Sequence, residues 1–282
     1  MGTAWVDMLG GCIQYHHANG IKTRCLEAGS GDPLLLLHGG GGHAETWVRN
    51  VVPLSGRFHV YAIDMIGHGL SDQPDDVDYT IRDFVDHAFS FLDGVGAKTA
   101  HVVGQSFGGW VGAWMAIQRP ERVRRLGMVA SAGLKVVEEG VKSSLKKTGF
   151  DAIEKPNLDT MRKRLEHLFY TPDHLTDELV EIRLRLYERA LGRSSLRKVM
   201  EQTMGEAQTD YLLTPERLRK ISAPTLFVWG ERNPVTPPEV AEKAAREVPR
   251  AEFVLMEKCG RWPQFESPDL FNRKLTEFLI AG

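Results

Sequence analysis

A chain of 282 residues with 42% hydrophobic and 26% charged residues carries enough apolar material for a large core, which excludes a disordered polypeptide. Thirty-five basic against thirty-seven acidic side chains leave a formal net charge of −2, so no global field calls for nucleic acid or an anionic membrane, and small molecules are the expected partners. Cys12, Cys25 and Cys259 show no metal-ligand spacing, and their odd number suits a reducing compartment. The first residues lack a basic stretch followed by a long apolar run, so neither a signal peptide nor a membrane span is expected and the default location is cytoplasmic. Assembly into a homo-oligomer is left open.

In chain order, residues 12–16 and 21–27 flank an Ala-Asn-Gly turn and read as a hairpin at an antiparallel edge. Short, nearly continuous apolar runs follow at 34–37, 60–63, 101–103, 126–130, 225–229 and 253–256. Such runs fit strands buried on both faces of a mostly parallel sheet, with helices between them. One of those helices follows Thr80, with Asp83 three residues on as a capping-box signal and Ile81, Phe84, Val85, Ala88, Phe89 and Leu92 at helical spacing. The alternation breaks at 134–213, a strongly charged helical segment. It reads as a lid inserted into a core made of residues 1–133 and 214–282. Met161, Leu165, Leu168 and Phe169 form one apolar stripe there, and Leu179, Ile182, Leu186 and Ala190 another; most of the segment's Arg and Lys read as solvated faces.

Gly104-Gln105-Ser106-Phe107-Gly108 stands directly after one of these strands and before an apolar helix. In a G-x-S-x-G elbow the glycines allow a sharp turn that presents the serine hydroxyl above the sheet. Upstream, the glycines after His38 follow the 34–37 strand, where the amides of Gly40 and Gly41, with that of Phe107, can face a developing oxyanion.

HGGGG at 38–42, AIDMIGHGLSD at 62–72, GQSFGGW at 104–110, WGERNPVTP at 229–237 and CGRWPQFESP at 259–268 occur in the order found in α/β-hydrolases. Within that fold the chain most resembles the meta-cleavage-product hydrolases, which cut carbon–carbon bonds in dienoate products of aromatic ring opening. The resemblance implies an α/β-hydrolase fold with a helical lid, and neither a cofactor nor a metal. It also implies a catalytic Asp at the end of the WGERN segment and a catalytic His before Trp262; those positions hold Asn233 and Arg261. Arg183 resembles the lid arginine that binds the dienoate carboxylate, and Trp262 the pocket tryptophan. Gln105 stands where that family usually has Asn, and Gln105 and His38 are taken as further substrate-side candidates.

A triad base must accept the serine proton and return it, whereas a guanidinium has only donors and stays charged at neutral pH. Arg261 therefore reads as a group that stabilises anions, Asn233 as its neutral partner, and Glu231 or Glu266 as carboxylates able to neutralise it. His43, His68, His167 and His174 are candidates for a substitute base. The leading expectation is a small-molecule enzyme turned to non-hydrolytic chemistry, such as a cyclase, isomerase, lyase or decarboxylase, on an anionic or enolisable substrate. The alternatives are a catalytically silent ligand-binding protein, and a C–C or ester hydrolase with a substitute base or an engineered inactivation.

Overall fold

The computed structural model describes residues 3–135, 138–192, 194–204 and 206–281. Its described strands are β1 (Cys12–Ala18), β2 (Ile21–Ala28), β3 (Asp32–Leu37), β4 (Phe58–Ile63), β5 (Ala100–Gln105), β6 (Val123–Val129), β7 (Thr225–Gly230) and β8 (Ala251–Met256). They form one sheet in the order β1-β2-β4-β3-β5-β6-β7-β8. β1, β2 and β4 pair antiparallel, and every neighbour from β4 to β8 is parallel. The hairpin turns through Asn19 and Gly20, with φ of 50° and 78°. Two successive positive φ values suit the twist of the flanking strands, which explains an Asn-Gly pair there. β5 and β7 are buried along their whole length, which accounts for apolar runs without alternation.

The helix Ile81–Gly94 begins at the Thr80–Asp83 capping box and buries the six apolar positions read from its sequence. They join Trp110 and Val111 of the helix Phe107–Gln118 in a core on one face of the sheet. The other face is covered by Trp47, Val51, Leu54 and the C-terminal helix residues Phe271, Leu275 and Phe278. Burial of this kind contributes about 25 cal/mol per Å² of apolar surface and fixes the strand ends that carry the functional loops.

Between β6 and β7 lie the helices Glu139–Glu154, Leu158–Leu165, Asp177–Arg189 and Ser195–Met204. The first expected stripe, Met161, Leu165, Leu168 and Phe169, packs with Trp262 and Phe265 in a third core. The second is corrected at Ile182 alone. Leu179, Leu186 and Ala190 are buried and Ile182 only partly, while the inward face runs through Val180, Arg183, Leu184 and Tyr187. Those positions have the i, i+3, i+4, i+7 spacing of a core-facing stripe, with an arginine at its second place. No helix among the described residues is long and apolar enough to cross a membrane.

Candidate active site

Ser106 occupies the single position between β5 and the helix Phe107–Gln118, with φ 54° and ψ −113°. An L-residue reaches such a conformation only where its surroundings over-determine it. A Cβ on Gly104 would lie 2.1 Å from the Gly108 backbone, and one on Gly108 would lie 2.3 Å from the Leu37 carbonyl oxygen. Both glycines are therefore demanded by close backbone approach. The Ser106 amide donates to the Val129 carbonyl at 2.8 Å, which ties the turn to the end of β6.

The glycine loop after β3 is shaped by two buried histidines. His38 Nδ1 donates to the Gly39 carbonyl and its Nε2 accepts from the Met65 amide, at 2.8 and 3.0 Å. Both ring nitrogens are committed and His38 does not line the cavity over Ser106, so its expected substrate contact is replaced by a scaffolding role. Gly41 also departs from expectation, because its amide donates to His68 Nε2 at 3.1 Å and so cannot serve an oxyanion as well. The amides of Gly40 and Phe107 have no acceptor among the described residues, and both residues line the cavity.

Arg261 reaches the same spot from the loop after β8. Its Nη2 donates to Ser106 Oγ at 2.6 Å and its Nη1 to Asn233 Oδ1 at 3.3 Å. The three residues from distant motifs are thus brought together. Asn233 Oδ1 also accepts from the Val235 and Thr236 amides at 3.0 and 3.2 Å, while its buried Nδ2 has no partner among the described residues. The Arg261 carbonyl accepts from Gln105 Nε2 at 3.1 Å, and its amide donates to the Leu168 carbonyl at 2.7 Å.

Glu266 holds the loop around Arg261. One carboxylate oxygen accepts from the Gly260 and Trp262 amides at 2.8 and 3.1 Å, and the other from the Tyr170 amide and His174 Nδ1 at 2.7 and 3.0 Å. With those commitments Glu266 does not neutralise Arg261, and neither does Glu231. Among the described residues no carboxylate lies within 4.0 Å of Arg261. Burial, reinforced by the like charge of Arg164, pushes the Arg261 guanidinium down to about 9. It remains a cation at pH 7.

A cavity of about 80 Å³ opens above Ser106. Arg183 lines it, donating Nη1 to the Gly41 carbonyl at 3.1 Å, while its buried Nε and Nη2 have no partner among the described residues. Its guanidinium lies 5.7 Å from the ring centre of Trp262, itself buried against Phe169 and Phe265. Tyr187 Oη donates to the same Gly41 carbonyl at 2.9 Å. None of the four candidate substitute bases lines the cavity. His68 uses both ring nitrogens, on the Gly41 amide and the Ile66 carbonyl, whereas His43, His167 and His174 each use Nδ1, on Glu45, the Lys163 carbonyl and Glu266, and the buried Nε2 of His43 has no partner among the described residues.

Sequence reasoning missed Arg164, which is buried in the cavity wall. Its signal was present, since 161, 164, 165 and 168 follow the core-facing spacing. Among the described residues no cluster of three or more His, Cys, Asp or Glu is arranged to hold a metal ion.

Comparison with known proteins adds to this geometry. The family profile described as alpha/beta hydrolase fold matches residues 32–268. The chain is 32% identical over 272 residues to a 2-hydroxymuconate semialdehyde hydrolase of Pseudomonas sp. (strain CF600), covering 94% of this chain and 93% of that protein. It is 29% identical to a 2-hydroxy-6-oxononadienedioate/2-hydroxy-6-oxononatrienedioate hydrolase of Comamonas testosteroni, over 91% of this chain and 90% of that protein. Among solved structures, a mutant of the meta-cleavage product hydrolase from Pseudomonas fluorescens IP01, complexed with acetates, superimposes with a TM-score of 0.82 at 28% identity. That match covers 94% of this chain and 97% of the other.

Proposed function

Because the chain belongs to the alpha/beta hydrolase fold family, we propose that it is a carbon–carbon bond hydrolase acting on a small oxo-dienoate carboxylate. The observation that carries this reading is one cavity holding Ser106, the uncommitted amides of Gly40 and Phe107, and the buried cation Arg183. The relatives named above are hydrolases, which supports this reading over the cyclase, isomerase, lyase or decarboxylase chemistry suggested by the cation alone. Trp262 and Gln105 complete the substrate side, and the helices between β6 and β7 act as its lid.

Hydrolysis adds the hydroxyl of water to the carbonyl carbon and its proton to the carbon that departs. In the serine route, Ser106 Oγ attacks the carbonyl, the amides of Gly40 and Phe107 receive the oxyanion, and water later releases the acyl group. Attack requires the Oγ proton to leave, and a charged Arg261 does not take it. Burial and the like charge of Arg164 push the guanidinium down, yet at neutral pH it stays a donor to Ser106 Oγ and offers no site for that proton. Turnover of the unaltered chain is therefore expected to be slow at neutral pH, resting on substrate binding and the oxyanion amides.

The test compares the unaltered chain with the double variant Asn233→Asp, Arg261→His on an oxo-dienoate across pH 6 to 10. Removing a triad base costs about a millionfold in a protease, so the double variant is expected to gain at least about a hundredfold at pH 7. If neither protein cleaves any oxo-dienoate, the hydrolase reading fails.

One observation favours a second reading, a binding protein without chemistry: Arg261 Nη2 already donates to the hydroxyl that would attack. Calorimetric binding without turnover from pH 7 to 10 would select it.

A further inference from the structure

Three arginines line the cavity above Ser106, and each is at least nine-tenths buried: Arg164 is 5%, Arg183 3% and Arg261 7% exposed. Among the described residues none of the three has a carboxylate within 4.0 Å. Among the described residues Arg164 makes one hydrogen bond, donating Nη1 to the Leu145 carbonyl at 3.1 Å. Arg183 keeps two buried nitrogens unpartnered. The like charges also oppose one another, Arg164 acting on Arg261 and Arg183 on Arg164.

Desolvating one cation costs several kcal/mol, and buried charges are ordinarily paired. Three in one wall, unpaired and mutually repelling, make sense as a receptor whose counter-charge arrives with the ligand. A single carboxylate on Arg183 would leave Arg164 and Arg261 uncompensated. The elements that carry them differ as well: Arg183 belongs to the helix Asp177–Arg189, Arg164 to the helix Leu158–Leu165, and Arg261 to the loop after β8. Leu145 and Leu168 line the same cavity and supply apolar surface for the linker of such a ligand.

We propose that Arg164, with Arg261 beside it, forms a second anion-binding subsite, so that the cavity selects a short dicarboxylate whose first carboxylate lies on Arg183. The inference deepens the hydrolase reading by naming its substrate class. It stands on equilibrium binding, so absence of turnover would sink that reading and leave this one intact.

The experiment is isothermal titration at pH 7 of the full chain with glutarate, adipate and pimelate, each against its monomethyl ester. Charge-assisted contacts predict that at least one diacid binds about tenfold or more tightly than its half-ester. In Arg164→Gln that ratio is expected to collapse toward one, and in Arg164→Lys to persist in part. Circular dichroism and urea midpoints report whether each variant is folded. Equal affinity of every diacid and its half-ester for the unaltered chain overturns the proposal, whatever the variants do. So does a ratio that survives in folded Arg164→Gln, and so does failure of every diacid to bind.

Discussion

Arg261 is set in place by groups that do no chemistry, and Glu266 is the chief of them. Its carboxylate takes three backbone amides and one imidazole, and its side chain is fully buried. Removing an acceptor of that kind strands the donors it served. Glu266→Ala is expected to cost about 3–5 kcal/mol, read as a lower urea midpoint, with Glu266→Gln intermediate. At this scale the sequence was legible where chemistry follows from residue type: Ser106, Asn233 and Arg261 meet within hydrogen-bonding distance although they come from three separated motifs. It was not legible where one group's role depends on a distant partner. The Gly41 amide is lost to His68, and no local pattern reveals that a histidine 27 residues away has its Nε2 free to accept. Arg164 went unread for a different reason, because charge on a helix is ordinarily solvated and only the spacing contradicted it, whereas Arg183 was read from the family resemblance.

Among the elements, the helix Asp177–Arg189 is fastened to the glycine loop by two donors on one carbonyl, Arg183 and Tyr187 both bonding Gly41. The same helix buries Leu179, Val180 and Leu184 in the third core, so apolar packing and these two donors hold it over the cavity together. Tyr187→Phe removes one tie worth about 1 kcal/mol. It should speed amide hydrogen exchange in residues 177–189 about fivefold while the exchange of β5 and β7 stays unchanged; equal rates in that helix would show that Tyr187 is no latch. The strands were legible because two-face burial writes itself as short apolar runs, and the hairpin because its turn needs Asn-Gly. The inserted helices were less so, since their inward faces mix leucine with arginine.

Over the whole molecule, buried imidazoles set the acid limit of stability. Burial pushes His68 and His101 down to about 4, His87 to about 3 and His38 well below its ordinary 6.5. Above pH 6.5 these rings are neutral in both the folded and the unfolded chain. Between 6.5 and about 4 the unfolded chain binds protons that the folded one refuses, so stability falls as the pH drops through that window. Four such groups imply a loss of roughly 3–5 kcal/mol between pH 7 and 5.5, visible as a falling urea midpoint. A flat midpoint over that range would show that the imidazoles are accessible to protons in the folded state.

The unpaired arginines of the cavity also bear on what a stability measurement on this protein means. Any anion that enters and lies against them binds the folded chain alone, and so raises the melting temperature by mass action. Citrate, phosphate or acetate in a buffer then acts as a ligand at a concentration set by the experimenter. A melting temperature taken in one of these and another taken in chloride describe different equilibria, and substitutions can be ranked against each other only at a fixed anion.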